Sequence, residues 1–300
     1  MTPASLPLLG IALAIVSAAA LAIGNLLQGR GVQDMLARNG RGSKPLGLVS
    51  SRVWLAGAVL LGVAILLQMG SLAFAPLMVV QPLGVTALVL TTVITAVIAK
   101  RMPSAAVIRA IVVCVIGVAA FVTVAALVST QHAITDVQLI AVLVVLGCVL
   151  LVTGVVLVAG RGRPVPAVLW VLLGGVYSAF VATLGKTVIL RIQTALTGRD
   201  FSFDATNLLT IGCIVGIGVA GALSVYFVQR AHASNRPEVV VAGLTVVDPT
   251  VAVILGITIL GEASTAPAWA MVGFVVAGGV AMAGVFALSR AERSPAGETV

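Results

Sequence analysis

Asp248 stands deep within an apolar run, GLTVVDPTVAVILG, and is followed at once by Pro249. An ionisable group at mid-bilayer costs at least about 2.5–3.5 kcal/mol, so a carboxylate there has a purpose. Proline lacks an N–H and clashes with the carbonyl four residues back, which frees backbone oxygens beside the acid. An acid with freed carbonyls suits a cation or a proton, and Asp248 is the candidate metal ligand. The plainer alternative is a structural acceptor that caps a broken half-helix. A second polar interruption, Gln81-Pro82, lies in FAPLMVVQPLGVTALVLTTVITAVIAKR, followed by Thr86, Thr91, Thr92 and Thr95. Their neutral dipoles can line a pathway, although threonines in membrane helices also bond their own backbone four residues back. Lys186 is a cation within an apolar run. It is a candidate partner for an anionic solute or for Asp248, against the alternative that its long side chain snorkels to the surface. Asn25, Ser17, Tyr177 and Ser178 are further candidates for the same cavity.

These residues need a membrane scaffold. Hydrophobic residues make up 60% of the 300 and charged residues 9%, against roughly 45–50% and 25% in soluble domains. Nine apolar runs approach the roughly 20 residues that a membrane helix requires. They fall at about 6–28, 48–70, 73–99, 105–128, 138–159, 166–190, 206–229, 238–260 and 266–289. The fold class expected is therefore all-α and polytopic. The opening MTPASLP has no basic residue and is a poor secretory signal, so the first helix is expected to stay uncleaved. Cys114, Cys148 and Cys213 all sit within apolar runs, which argues against disulfides and a zinc site.

Alternate loops differ in charge. One set holds Arg30, Arg38, Arg41, Lys44, Arg52, Lys100, Arg101, Arg109, Arg161, Arg163, Arg230, Arg236, Arg290 and Arg293, and the other only Lys186, Arg191 and Arg199, a split of 14 to 3. Because Lys and Arg near helix ends stay cytoplasmic, the N-terminus is expected outside and the C-terminus inside the plasma membrane. The pI near 10.5 then reports topology and attraction to anionic lipid headgroups, not nucleic acid.

A shift of 161 positions brings the chain onto itself without a gap. Pro76 falls on Pro237, Ser17 on Ser178, Gly24 on Gly185, Arg30 on Arg191, Gln68 on Gln229 and Gly117 on Gly278. Helices 1–4 thus correspond to helices 6–9 at an offset of five spans, so partners cross the bilayer in opposite senses. This is an inverted repeat, with residues 1–137 as the first unit, 138–165 as connector helix 5 and its loop, 166–289 as the second unit and 290–300 as a polar tail. A partner for helix 5 is not expected. Such repeats serve transporters that alternate access around a midplane site.

Ala73-Phe74-Ala75-Pro76 followed by Gln81-Pro82-Leu83-Gly84, with Gln68 ahead of them, resembles the third helix of NIPA-type magnesium transporters. The second half, ending in Leu260-Gly261-Glu262, looks like the EamA-type half repeat of the drug/metabolite transporter superfamily. The resemblance implies a transporter of two bundled repeats, within a superfamily that spans metal ions, amino acids, nucleotide sugars and drugs.

Enzymatic signals are missing: His132 and His232 are single loop histidines, and no phosphate loop with its lysine is present. No cofactor is expected. Gly212 and Gly216, and Gly273, Ala277 and Ala281, lie four apart on helix faces and favour close packing within the chain, with a homodimer contact as the other use. Asp200 and Asp204, in an external loop, are candidates for attracting cations, or else simply solvated. The expected function is a secondary transporter of a small cation, Mg2+ being admissible because it keeps most of its waters, or of a polar solute. The alternatives are an exporter or flippase of an organic metabolite or anionic lipid precursor, in which Lys186 meets the anion, and a non-transporting envelope scaffold.

Overall fold

The computed structural model describes residues 7–39, 51–100, 102–129, 134–160, 165–198, 205–235 and 237–291. Asp200, Asp204, His132, the loop basic residues Arg41 and Lys44, and the tail beyond residue 291 lie outside them. The described residues form ten helices and no strand. They are α1 (Pro7–Asn39), α2 (Arg52–Phe74), α3 (Leu77–Leu83), α4 (Thr86–Ile98), α5 (Ala105–Val128), α6 (Asp136–Ala159), α7 (Ala167–Gly198), α8 (Ala205–Ser234), α9 (Pro237–Thr258) and α10 (Ala268–Ala291). Within lipid every backbone N–H and C=O must be bonded internally, which leaves helices or a closed barrel, and continuous apolar runs of about 20 residues favour helices.

Eight stretches are long and apolar enough to cross a bilayer, with α3 and α4 together making one of them. The ninth, within α9, is apolar over only Ala242–Thr258. Several helices outrun the hydrocarbon. α1 has 33 residues, which is about 50 Å against a core of about 30 Å, so its polar end, through Arg30 and Asp34, continues the helix into the headgroup region and beyond. The sequence places that helix end at residue 28 because hydropathy marks where lipid stops, not where hydrogen bonding does.

Helix starts are marked by hydroxyl caps. Ser51 accepts from the Trp54 amide and Ser104 from the Val107 amide, both at 3.3 Å. Thr135 and Gln138 close a reciprocal capping box at the start of α6. α1 lies along α2 and α7 along α8, α1 touches α4 and α7 touches α9. α3 meets α9, and α5 runs against α10.

The α5–α10 contact is backbone to backbone. A Cβ on Gly117 would strike the Ala281 backbone, and one on Gly284 would strike the backbone of Cys114. The small-residue stripe on α10 is therefore filled by α5, and Gly216 likewise packs on Leu184, Leu143 and Leu146 of α7 and α6. The outer surface carries large apolar side chains such as Leu66, Leu127 and Val275, each more than 70% exposed, as a lipid-facing surface requires.

Candidate functional site

The third span is interrupted, as its Gln81-Pro82-Leu83-Gly84 stretch predicts. α3 ends at Leu83 and α4 begins at Thr86. Between them the Gly84 amide bonds Gln81 O at 3.0 Å and the Val85 amide bonds Pro82 O at 3.2 Å, a tightened turn of i→i+3 bonds. Thr86 Oγ1 donates to Leu83 O at 2.5 Å, so its proton is taken up by the break. Thr91 and Thr92 likewise bond Ala87 O and Leu88 O. Gln81 is 8% exposed.

α9, by contrast, is continuous through Pro249. The expectation of a broken half-helix at Pro249 is corrected: the helix runs on through the proline, and Thr250 Oγ1 bonds Val246 O at 2.6 Å in the turn around it. Pro82 and Pro249 nevertheless line one cavity of about 410 Å³ among α3, α5, α9 and α10. Its wall is apolar, with Phe121, Phe274, Val118, Val253 and Val285 among the lining residues and hydroxyls only from Thr245 and Thr250.

Asp248 lies on α9 against α7. Ser178 Oγ donates to its Oδ2 at 2.6 Å, and its Oδ1 is buried without any hydrogen-bond partner. Two residues named separately from the sequence therefore meet. Gly175 makes the approach possible, since a Cβ there would come within 2.7 Å of the Val247 side chain and 3.3 Å of the Asp248 amide. Among the described residues no three His, Cys, Asp or Glu side chains converge, so a cation at Asp248 would depend on waters and neutral oxygens for its remaining ligands.

Lys186 neither reaches Asp248 nor snorkels. It is 1% exposed, and its ammonium donates to Glu262 Oε1 at 2.5 Å and to the Ala75 carbonyl at 3.2 Å. Glu262 also accepts from the amides of Leu77 (Oε1, 2.7 Å) and Met78 (Oε2, 2.8 Å). These are the first amides of α3, whose N-cap, Pro76, offers no side-chain bond. A carboxylate from beyond the end of α9 thus satisfies donors that every helix start leaves open.

Two glycines aim Glu262. Gly261, with φ +68°, turns the chain at the end of α9, a conformation that other residues adopt only under strain. Gly256 leaves room for the carboxylate, whose Oε2 would lie 2.9 Å from a Cβ there. The same end of the bundle holds Arg191, which donates to Ile134 O at 3.1 Å and pairs with Asp136. There too Gln138 donates to Leu260 O at 3.0 Å.

The other candidates lie elsewhere. Tyr177 is fully buried, stacks on Phe227 with centroids 5.5 Å apart and donates to Thr153 Oγ1 at 3.0 Å. Neighbouring helical residues point about 100° apart, and Tyr177 turns to Thr153 and Phe227 while Ser178 turns to Asp248. Ser17 Oγ donates to Ala64 O at 2.7 Å and ties α1 to α2. Asn25 is exposed on α1, although it is the repeat equivalent of buried Lys186. Glu262 is the residue that sequence reasoning passed over, because an acid just beyond a helix end looks like a solvated loop residue. The signal available was Leu260-Gly261-Glu262 itself, a left-handed turn followed at once by an acid.

The family model described as Magnesium transporter NIPA matches residues 6–293. Neither a curated protein nor a solved structure matches the chain.

Proposed function

We infer, on the premise that this chain belongs to the magnesium transporter NIPA family and is a membrane cation transporter, that it passes Mg2+ by alternating access with Asp248 as the carboxylate that meets the ion. The observation that carries this reading is Asp248 Oδ1, a buried carboxylate oxygen with no partner beside the Ser178 hydroxyl. A buried carboxylate oxygen withheld from every protein donor is served by a cation or a proton that visits it. Mg2+ dehydrates reluctantly and is held through one or two carboxylates with several waters retained, so one acid and one hydroxyl are an adequate first contact.

Alternation is supported by the inverted repeat and by the unequal interruption of its two halves, α3–α4 broken and α9 whole. The end of the bundle closed by Lys186, Glu262, Arg191 and Asp136 is the end that the charge asymmetry of the loops assigns to the outside. On this reading the described conformation is shut there.

The test is Mg2+ flux into proteoliposomes read by an entrapped indicator. Asp248→Asn, which keeps shape and removes charge, is expected to lower flux at least about tenfold, a loss that matches one charged contact of about 1.5–3 kcal/mol. Flux equal to that of the unmodified protein would overturn the reading.

A second reading has its own observation. The cavity between the prolines is walled almost wholly by apolar side chains, which suits an amphipathic organic solute better than a hydrated ion. Lys186 no longer serves that reading as an anion receptor, since Glu262 occupies it. Organic-solute flux that survives Asp248→Asn and is lost on filling the cavity would favour it.

A further inference from the structure

Lys186 (1% exposed) and Glu262 (2%) form a buried ion pair that no transport step requires as it stands. The position of the ammonium is notable for what surrounds it: one carboxylate oxygen at 2.5 Å and one peptide carbonyl oxygen at 3.2 Å. Hard oxygens of these two kinds are the donors that Mg2+ and Ca2+ take. We propose that the Lys186 ammonium is a tethered occupant of a second cation site, built from Glu262 Oε1 and the Ala75 carbonyl, and that a metal cation displacing it unlocks this end of the bundle.

Three features support the exchange. First, Glu262 is held independently of the lysine. The Leu77 and Met78 amides fix both of its oxygens, and a carboxylate accepts about four bonds, so the site stays assembled when the ammonium leaves. Second, lysine carries its charge on a flexible four-carbon stem with freely turning donors, which suits a cation that must swing away and return. Third, the pair sits where the repeats are tied: Ala75 and the start of α3 belong to the first repeat, and Lys186 and Glu262 to the second. A metal ion bound to Glu262 Oε1 would neutralise the carboxylate while releasing the link to α7. The identity of the cation rests on the transport reading above; the site itself rests on the geometry alone.

The probe is Mg2+ alone, with matched choline chloride as the control for ionic strength. Removing the tethered charge in Lys186→Met should give a saturable, Mg2+-dependent rise in melting temperature larger than that of the unmodified protein. The excess over the unmodified protein should vanish in Lys186→Met/Glu262→Gln, whatever rise Asp248 contributes being common to all three. Equal rises in the single and double variants would overturn the proposal.

Should Lys186→Met not fold with its carboxylate unpaired, the double variant still decides. Losing both charges together is tolerated where losing one is not. Met78 is wholly buried beside Glu262. In a background with Cys114, Cys148 and Cys213 replaced by Ala, Met78→Cys should react several-fold faster with an impermeant thiol reagent when the pair is neutralised. Added Mg2+ should also speed the reaction when the pair is intact. Unchanged rates in both comparisons would overturn the proposal. Neither measurement uses flux, so failure here leaves the Asp248 reading standing, and loss of that reading leaves these outcomes unaltered.

Discussion

Glu262→Ala removes three hydrogen bonds at once: from Lys186 Nζ at 2.5 Å, the Leu77 amide at 2.7 Å and the Met78 amide at 2.8 Å. The ammonium, 1% exposed, keeps only the Ala75 carbonyl at 3.2 Å. Leaving a buried charge without its counter-ion costs about 3–5 kcal/mol, and each orphaned buried amide adds about 1–3 kcal/mol. These terms overlap because water entering for one group also serves the others, so the expected loss is at least about 4 kcal/mol. Glu262→Gln keeps one oxygen for the α3 amides and should lie between that value and the unmodified protein. The discriminating variant is Lys186→Met/Glu262→Gln, which removes both charges and should be more stable than Glu262→Ala. Equilibrium unfolding in mixed micelles, followed by tryptophan fluorescence, supplies the four corners of a double-mutant cycle, with a coupling energy of about 2 kcal/mol or more expected for groups in direct contact. A cost below about 1 kcal/mol for Glu262→Ala, the range of solvated pairs, would refute the claim that this pair is desolvated and ties the repeats.

Further outcomes follow from single contacts. Ser178→Ala removes one hydrogen bond to a charged acceptor and should lower Mg2+ flux less than Asp248→Asn does, compared in the same proteoliposomes. Gly279 lines the cavity, and a methyl added there would meet no atom within 4 Å, so Gly279→Phe should fold normally and obstruct whatever passes; undiminished flux would remove the cavity from the route. Gly117→Val places a branched side chain against the Ala281 backbone and should cost about 1–3 kcal/mol or more by overpacking. Gly62→Ala, which meets nothing within 4 Å, should be neutral or slightly stabilising in the same melting assay. Tyr177→Phe gives up its bond to Thr153 and should lower stability by about 0.5–1.5 kcal/mol while leaving flux unchanged.

The spans were legible because hydropathy alone defines them. The break at Pro82 was legible because proline and Gly84 act within one turn of chain. The break expected at Pro249 was not found: α9 continues through it, where no glycine follows within a turn as Gly84 follows Pro82. Asp248 and Ser178 were each legible as polar residues in apolar runs, but their hydrogen bond depends on which faces α7 and α9 present to one another. Lys186 was visible and its partner was not, because Glu262 is 76 positions away and reaches the lysine only through the turn at Gly261. Repeat equivalence misled at Asn25. Lys186 is buried by contacts with Ala75 and Glu262, whereas Asn25 is exposed.

The glycine-lined seam between α5 and α10 also bears on how the protein is made. α5 is complete at Val128, while α10 begins only at Ala268, and at about 5–20 residues per second the ribosome takes roughly 7–30 s to supply the missing neighbour. Throughout that interval the bare backbone flank around Gly117 waits in lipid with no partner, and Glu262, which seats the start of α3, has yet to be translated for most of it. The first half therefore enters the bilayer as an unfinished shape that lipids or an insertion chaperone must shield, and the last helix to be threaded closes it.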